Sequence, residues 1–470
     1  MPNKMKIREL LNWRMTSRAC RIALALSLAS AMSERSRPGR ATIPAGDKSN
    51  RYMIMLFSLI CCLNVGSGRA SAIEVGWAKV DITPSFSAPL AGFGARRGAK
   101  AQGVHDPIYV RAVVFEESGE RIALVSADLL LINRALREEV DRRLRSLQLS
   151  SLLLCATHTH SGIGGYWNNI FAEYLGMGKY QQTIFDFLVD RIVTAVTTAY
   201  KNKIAARIGT ANTRVEGFNQ NRRSPHGSVD PGLSIMRIDD GLGNPRVAIV
   251  NFAAHATLLG SENLLISADY PGVVSATLER HLSLAVFVAG AGGDLSPRRF
   301  PGKGSYERAA AYGLALAKAT MPTLAGSRPV SAVSLKSQTL EVTLPSATLT
   351  GALGTPLAFL ANPFFRHLAP TTTLLQAIRL NDETLTAWPG EVVSKIGLDL
   401  KTENRKNSNS NNLWIVSQAN DHIGYIQSEK GFYEGGYETR MSFFGPKLGE
   451  KLTKDMLLLV EKTSSRSFLP

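Results

Sequence analysis

The strongest constraint on the fold is an alternation, from residue 73 onward, of short apolar runs with longer segments of helical periodicity. The predicted strands are 74–81, 110–116, 121–126, 151–157, 247–253, 284–289, 383–388 and 413–417. The predicted helices are 134–147, 184–201, 271–282, 305–325, 391–402 and 445–462. This pattern favours an α/β fold with a mixed β-sheet core flanked by helices. Because no repeat or linker interrupts it, we expect a single large domain over residues 73–470, in which 402–412 is a solvated loop.

Three of the predicted strands end in residues that can carry chemistry. One strand leads into His158 and His160, which lie two positions apart and can therefore point to the same side. A second strand leads to His255, and a third leads into a glycine-rich turn over 290–297. Because ligands bind at the carboxyl ends of strands in α/β folds, we expect these side chains to converge.

Converging imidazoles are typical zinc ligands, and a catalytic zinc site also takes a carboxylate and leaves one position open for water. Glu391 follows the predicted strand 383–388 and could supply the carboxylate; the alternative is an acid that complements the dipole of a following helix. For the histidine pair, the alternative is a capping or surface role. The other histidines are expected to be structural or exposed: His105, His226, His281, His367 and His422.

The N-terminal region has the features of a targeting signal. Basic residues precede an apolar run over 53–65, and residues 70–72 read Ala-Ser-Ala, a cleavage signature. Because the run is short for a bilayer-spanning helix, we predict a cleaved signal peptide over 51–72 and a secreted or periplasmic protein. Residues 1–50 are then an N-terminal extension, which a translation start further along the chain, such as Met32, would explain.

The net charge of +16 is concentrated in this same region. Residues 1–72 hold 12 Lys and Arg against three acids, and the other 398 residues hold 42 against 35, a net +7. No basic block is interleaved with aromatic residues, so we expect no nucleic-acid partner. Beyond residue 72 the only cysteine is Cys155, which excludes an internal disulfide and a thiolate metal cluster there. The GxSxG, HExxH and glycine-rich nucleotide-binding motifs do not occur either.

Eight stretches, taken in order, resemble the neutral/alkaline non-lysosomal ceramidases, which are zinc amidases that cleave the N-acyl bond of ceramide to a sphingoid base and a fatty acid. The stretches are 76–84 (GWAKVDITP), 103–114 (GVHDPIYVRAVV), 156–165 (ATHTHSGIGG), 221–225 (NRRSP), 252–257 (FAAHAT), 293–297 (GDLSP), 389–391 (PGE) and 424–437. Together they span nearly all of residues 73–470. The resemblance implies a zinc-dependent N-acylsphingosine amidohydrolase, and the signal-like sequence over 51–72 implies that it is exported.

The resemblance also implies a set of metal ligands. One zinc ion per chain would be bound by His158, His255, Glu391 and Tyr425. His160, the second histidine of its motif, would act beside the metal as a general acid and base, a task that suits its near-neutral pKa.

Further residues implied by the resemblance would act on the substrate. An arginine near the scissile carbonyl maps to Arg222, with Arg223 left open as its alternative. Arg222 and Tyr437 would donate hydrogen bonds to the developing oxyanion. Ser296 counts among the catalytic residues but is expected to position the substrate rather than attack it, since activated water makes a serine nucleophile unnecessary. The same motif supplies two expected substrate-binding residues, Gly293 and Asp294.

Three alternatives remain open from the sequence. The chain could be a zinc hydrolase of the same fold acting on another N-acyl compound or an ester, a non-catalytic family member, or a serine hydrolase that uses Ser296. Family members that act on ceramide carry a further β-sandwich domain, whereas we expect only the catalytic N-terminal domain here. The expected partner is a lipid or another N-acylated small molecule, which would allow transient contact with a membrane surface; the oligomeric state is left open.

Overall fold

The largest sheet has eight strands, four of which run antiparallel through its centre. A computed structural model describes residues 73–297, 303–348, 358–407 and 412–464, so the predicted extension 1–50 and signal peptide 51–72 lie outside the described residues. The strands of this sheet are β1 (Glu74–Asp81), β2 (Tyr109–Glu117), β3 (Glu120–Ala127), β4 (Ser151–Ala156), β5 (Ile204–Arg214), β6 (Gly232–Asp240), β7 (Pro245–Phe252) and β8 (Leu284–Ala289).

The strand order is β8-β7-β6-β5-β1-β2-β3-β4, and the pairs at both edges, β3–β4 and β7–β8, are parallel. The sheet curls until its two ends approach each other. The Ser126 hydroxyl on β3 donates a hydrogen bond of 2.6 Å to the carbonyl oxygen of Phe287 on β8. The carboxyl ends of β4, β7 and β8 are therefore brought to one region, although they belong to opposite edges.

A second sheet packs on the concave side of the first. Its strands, in spatial order, are β9 (Leu335–Thr343), β10 (Thr372–Leu380), β11 (Glu383–Ala387) and β12 (Asn412–Val416). Side chains from both sheets form one shared apolar core, in which Leu153 and Ile249 of the large sheet meet Ile378 and Trp414 of the second. The Asn251 amide nitrogen also donates a hydrogen bond of 2.9 Å to the Ile415 carbonyl, which ties β7 to β12.

Helices cover the outer faces of both sheets. The longer helices are α1 (Arg134–Arg143), α2 (Gln182–Lys201), α3 (Asp269–Leu278), α4 (Ser305–Gly326), α5 (Ala358–Leu368), α6 (Ser394–Asn407) and α7 (Leu448–Ser464). Helices α1 and α2 pack on β1–β4, α3 and α4 pack on β6–β8, and α6 and α7 pack on the second sheet. On β4, Leu153 and Cys155 face the other sheet while Leu152 and Leu154 face helices, as the period of two requires.

Short elements connect these layers near the carboxyl ends of the strands. Two-residue strand pairs join Gly103–Val104 to Leu265–Ile266, Gln220–Asn221 to Leu295–Ser296, and Glu391–Val392 to Tyr425–Ile426. Short helical turns are found at Gly94–Arg96, Arg145–Leu147, Ile170–Ala172, Glu173–Met177, Glu429–Tyr433 and Tyr437–Arg440. Among the described residues, no helix is both long enough and apolar enough to cross a bilayer.

The predicted fold class, a mixed sheet flanked by helices, is confirmed, although the sequence did not indicate that a second sheet packs on the first. Each predicted strand is present with ends shifted by at most two residues. The missed strands are β5, β6, β9 and β10. They are antiparallel, and polar residues interrupt their sequences, so they lack the continuous apolar run of the others.

The predicted helix 391–402 is wrong at its start. Glu391 lies in the short strand that pairs with Tyr425, and α6 begins at Ser394, because tertiary pairing overrides the local helical pattern. The predicted loop 402–412 is also wrong in its first part, since α6 continues to Asn407; residues 408–411 lie outside the described residues.

Candidate metal centre

The carboxyl ends of strands from both sheets meet at one cluster of polar side chains. His158 and His160 follow β4, and His255 follows β7 of the large sheet. Glu391 and Tyr425 follow β11 and β12 of the second sheet and lie in the same two-residue strand pair. The fold thus brings together the five residues that the resemblance placed at or beside a metal.

The nitrogen and oxygen atoms of these side chains lie close enough together to surround a single ion. The Nε2 atoms of His158 and His160 are 3.2 Å apart. The Glu391 carboxylate lies 3.4 Å from Nε2 of His158 and 3.1 Å from Nε2 of His255. The Tyr425 hydroxyl lies 3.4 Å from Nε2 of His255. Potential ligand atoms of the three histidines all lie within 4.8 Å of one another.

Each imidazole is oriented from behind by a backbone carbonyl. Nδ1 of His158 lies 2.8 Å from the Leu130 oxygen, and Nδ1 of His160 lies 2.9 Å from the Gly92 oxygen. Nδ1 of His255 lies 2.7 Å from the Gly292 oxygen. Since a carbonyl oxygen can only accept, each Nδ1 carries a proton, and in the neutral ring each Nε2 presents a lone pair to the centre.

Lone pairs that face each other at 3.2 Å repel, and a bound cation removes this repulsion. Imidazole nitrogens, a carboxylate and a phenol oxygen are ligands that zinc and other first-row divalent cations accept. The residues present therefore fit a metal centre.

The backbone around the histidines is strained in the manner of functional sites. His158 has φ 66°, a left-handed conformation that costs about 1–3 kcal/mol for a residue with a side chain. Gly92 has φ 107°, and a Cβ added there would lie 2.7 Å from His160. Only glycine can bring its carbonyl oxygen this close behind the His160 ring.

Burial keeps His160 and His255 neutral. It lowers the pKa of His255 to about 4 and lowers the pKa of His160 well below its ordinary value. Burial alone would raise the pKa of Glu391, but the adjacent imidazoles of His158 and His255 outweigh it and lower that pKa. At neutral pH the rings of His160 and His255 are therefore neutral and Glu391 is a carboxylate. Neutral imidazole and carboxylate are the forms that bind metals.

The structure separates the roles of the two candidate arginines. The Arg222 guanidinium donates a hydrogen bond of 2.9 Å to the Tyr425 hydroxyl and one of 2.8 Å to the Glu438 carboxylate. It therefore faces the centre. Arg223 instead donates to Gln427 and to the carbonyl oxygens of the 431–435 turn. Both line the cavity, but only Arg222 contacts an expected metal ligand.

Three residues that the resemblance assigned to the substrate have structural contacts instead. Asp294 is buried, and its carboxylate accepts hydrogen bonds from Asn221 and from the backbone and hydroxyl of Ser394. A Cβ added at Gly293 would lie 3.0 Å or less from the backbone oxygens of 391–392. Ser296 is buried in the strand that pairs with Gln220–Asn221. None of the three lines the main cavity, and the Asp294 carbonyl accepts the Arg222 backbone N–H, so this turn positions Arg222.

A cavity of about 1000 Å³ opens from the centre. Its volume lies near the upper end of the usual range for small-molecule sites, ~300–1000 Å³. Its polar lining includes His160, His255, Glu391 and Tyr437, and the Tyr437 ring lies 5.8 Å from the Tyr425 ring. Its apolar wall includes Phe93, Leu130, Leu131, Trp167, Phe171, Leu175, Met177, Phe365, Leu368, Met441, Phe443 and Phe444.

Sequence reasoning missed two residues beside the centre. His422, expected to be structural or exposed, lines the cavity, and burial lowers its pKa to about 4. Arg96 is buried and donates to the carbonyl oxygens of His160, Ala91, Gly260 and Ser261. Neither residue lies at the end of a predicted strand, which was the signal used to find the others.

Residues 73–299 match the family of neutral/alkaline non-lysosomal ceramidases, in its N-terminal part. This stretch, slightly under half of the chain, is therefore similar to the N-terminal part of these ceramidases. The chain is 30% identical over 260 residues to neutral ceramidase A of Dictyostelium discoideum, across 48% of this chain and 36% of that one. It is 30% identical over 259 residues to the neutral ceramidase of Pseudomonas aeruginosa, across 49% of this chain and 38% of that one.

The resemblance in three dimensions extends further along the chain. The crystal structure of the Pseudomonas aeruginosa neutral ceramidase superposes with a TM-score of 0.73 at 22% identity, over 84% of this chain and 75% of that one. A structure described as ceramidase complexed with C2 gives the same TM-score at 21% identity, over 85% and 77%. The sequence matches span little more than a third of the curated ceramidases, whereas the fold matches reach the part of this chain that holds Glu391 and Tyr425.

Proposed function

We propose that this protein is an exported, zinc-dependent hydrolase that cleaves the N-acyl amide bond of ceramide to a sphingoid base and a fatty acid. The observation that carries the proposal is the convergence of three imidazoles, each oriented by a backbone carbonyl, on the Glu391 carboxylate beside an apolar cavity. Ceramidase relatives and ceramidase structures support the same reaction class.

The shape of the cavity supports a lipid substrate. A volume of about 1000 Å³ with an extensive apolar wall can take up a hydrocarbon chain and remove its surface from water, at about 25 cal/mol per Å² of apolar area. His160, His255 and Glu391 of the centre line the same cavity, so an amide bond bound beside an apolar chain could meet them. A substrate with one polar junction and long apolar chains matches this arrangement.

In the proposed reaction, His158, His255, Glu391 and Tyr425 would hold the zinc ion. Zinc would supply Lewis acidity toward water and the amide carbonyl. Since the Nδ1 proton of His160 is held by Gly92, its Nε2 is free to accept a proton and later to return it to the leaving amine. Arg222 would donate hydrogen bonds to the carbonyl oxygen as negative charge develops there, and Tyr437 would assist.

The alternatives are weighed by the same geometry. A serine hydrolase is disfavoured because Ser296 is buried in a strand pair and does not line the main cavity. A non-catalytic role is disfavoured because the complete set of expected ligands is present and aligned. Hydrolysis of another N-acyl compound or an ester would use the same centre, and a substrate panel separates these activities from ceramide hydrolysis.

Export is proposed from the signal-like sequence over 51–72 alone. Expression in a bacterial host, followed by fractionation and N-terminal sequencing of the product, tests it. Cleavage near residue 72 in an extracytoplasmic fraction is the expected result, and an uncleaved protein confined to the cytoplasm would contradict it.

The activity is tested on the purified protein by elemental analysis together with hydrolysis of a fluorescent short-chain ceramide before and after chelation. We expect about one zinc per chain and cleavage that chelation abolishes and zinc restores. His160→Ala serves as the matched variant, because it should keep the metal but lose most of the activity.

The outcomes separate the parts of the proposal. Bound zinc without ceramide cleavage would reject the substrate and redirect the search to other N-acyl compounds. Cleavage that resists chelation but stops with a serine-directed phosphonate would reject the metal mechanism. Absence of any bound metal together with full activity would overturn the assignment of the centre.

A further inference from the structure

His422 is the one cavity-lining histidine that has no place in the metal centre as proposed, within the part of the chain that the structure describes. Its Nδ1 lies 3.0 Å from the Gln418 side-chain oxygen, so this nitrogen donates and the other, Nε2, is an acceptor. The ring meets Trp167 nearly edge-on, at 5.8 Å between centroids. Gln418 and Trp167 together hold the imidazole in one orientation and one tautomer.

The Nε2 acceptor is placed in unusual surroundings. Among the described residues, no hydrogen-bond donor is found for Nε2 of His422, and the ring is only partly exposed. Leu130, Leu131 and Trp167 line the same cavity. A partly buried acceptor on a mainly apolar wall is costly to desolvate unless something in the cavity donates to it.

His422 is close enough to Glu391 and His158 to interact with both electrostatically, so a ligand group that donates to its Nε2 stands near the amide bond. A simple N-acyl alkylamine has no donor beyond its amide N–H, whereas an N-acyl amino alcohol has a hydroxyl within a few bonds of that nitrogen. A neutral hydroxyl suits a neutral imidazole, because O–H donates to Nε2 without placing a charge in the cavity.

We infer that His422 is a specificity-determining residue, which accepts a hydrogen bond from a substrate hydroxyl and so selects N-acyl amino alcohols over N-acyl amines that lack a hydroxyl. This inference rests on the proposed amide hydrolysis and adds to it the residue that recognises the hydroxylated part of the substrate. His422 acts on binding and on placement of the amide, and it takes no part in the transfer of the proton.

The test compares two substrates that carry the same fluorescent acyl group. One is a short-chain ceramide, and the other is the matched N-acyl alkylamine of equal chain length without hydroxyls. The ratio of their kcat/KM values is measured for the wild type and for His422→Phe, which keeps a planar ring but removes the acceptor. We expect the wild type to favour the hydroxylated substrate by roughly ten- to a hundredfold, and His422→Phe to lose most of that preference through the hydroxylated substrate alone.

Two further variants exclude a structural explanation. His422→Gln restores an acceptor oxygen and should recover part of the preference. Leu131→Val alters the same wall and leaves Gln418 and Trp167 in place, so it should change both rates together and leave the ratio unchanged. Metal content and Tm are measured for each variant. If His422→Phe does not fold, Gln418→Met takes its place, because it frees the tautomer of His422 while leaving the ring.

An unchanged substrate ratio in a folded, metal-bound His422→Phe protein would overturn the inference while leaving the amidase proposal intact. If the wild type hydrolyses neither amide, the proposed function fails, and binding then decides the inference. In that case, calorimetric titration with a long-chain amino alcohol and with the matched alkylamine should still show a preference that His422→Phe removes; equal affinities would overturn it.

Discussion

His158, His160 and His255 extend from the large sheet, whereas Glu391 and Tyr425 extend from loops that follow the second sheet. On the histidine side, each ring is oriented by a main-chain carbonyl that belongs to a tight turn. On the carboxylate side, the two residues are held by a two-residue strand pair and by side-chain contacts, of which the Arg222 bond to Tyr425 is the nearest.

Because the two sides are held differently, we expect substitutions on them to affect metal binding and activity differently. Main-chain orientation of the histidine side is rigid, and the whole side lies within the residues that match the family. The carboxylate side lies beyond residue 299 and depends on long-range packing between the sheets and on a network of side chains. We therefore expect substitution of the ligand His158 or His255 to remove the metal, and substitution of the side chains that surround Glu391 and Tyr425 to change rates while the metal stays.

The largest expected effect is that of His158→Ala. Loss of this ligand should abolish bound metal and reduce hydrolysis by at least ~10³-fold, because both the metal and the strained, oriented imidazole are lost. Elemental analysis and the ceramide assay measure the two effects. Ser296 is buried outside the main cavity, so Ser296→Ala is the control and should retain the metal. Full metal occupancy in His158→Ala would contradict the assignment of His158 as a ligand.

The second prediction concerns the arginine pair. Arg222→Met should lower kcat by about 10²–10³-fold with metal content unchanged, since it removes a donor aimed at the developing oxyanion. Arg223→Met should lower kcat by less than about tenfold but reduce Tm, because Arg223 braces the 431–435 turn. A larger loss of kcat in Arg223→Met than in Arg222→Met would show that Arg223, and not Arg222, acts on the substrate carbonyl.

Arg96 tests whether the histidine side depends on its backbone support. Its guanidinium joins the carbonyl oxygens of Ala91 and His160 to those of Gly260 and Ser261. Arg96→Lys keeps the charge but cannot reach all four oxygens, so we expect kcat to fall about 10–100-fold, with KM and metal content little changed. Equal losses in metal content and kcat would show that Arg96 supports the ligands rather than His160.

The smallest expected effect is on stability and concerns Asp269, which begins α3 in the segment after His255. Burial raises the pKa of this carboxyl from its ordinary value to about 6. The folded state therefore holds a proton that the unfolded state has released, and the stability it contributes below about pH 4 is lost as the pH rises through about 6. Asp269→Asn should flatten this dependence by about 1–3 kcal/mol between pH 4 and 6.

Chemical denaturation of both proteins at several pH values measures the difference. Identical pH profiles would show that Asp269 ionises normally. A wild-type stability that rises over this interval more steeply than that of the variant would contradict the sign of the shift.

Much of the fold, and the positions of the histidines at the centre, could be predicted from short stretches of the sequence. The strands that precede His158 and His255 are continuous apolar runs, and a spacing of two between His158 and His160 places both rings near one strand end. These signals depend on neighbours in sequence, so a single chain suffices to find them. The carboxylate side was located by family resemblance, since Glu391 alone would have been assigned to a helix terminus.

Tertiary structure decided what no local pattern contains. The curl of the large sheet, seen in the Ser126 bond to Phe287, brings opposite edges together. Packing of the second sheet then sets Glu391 and Tyr425 against the histidines. In the packed structure, the Asp294 carboxylate accepts hydrogen bonds from Asn221 and Ser394, which fixes the turn that positions Arg222. His422 also lines the cavity as a result of this packing. Periodicity and turn chemistry depend on residues that are adjacent in sequence. The contacts of Asp294 instead join residues more than 70 positions apart. They can stabilise the protein only after the sheets have packed, so no local pattern in the sequence reveals them.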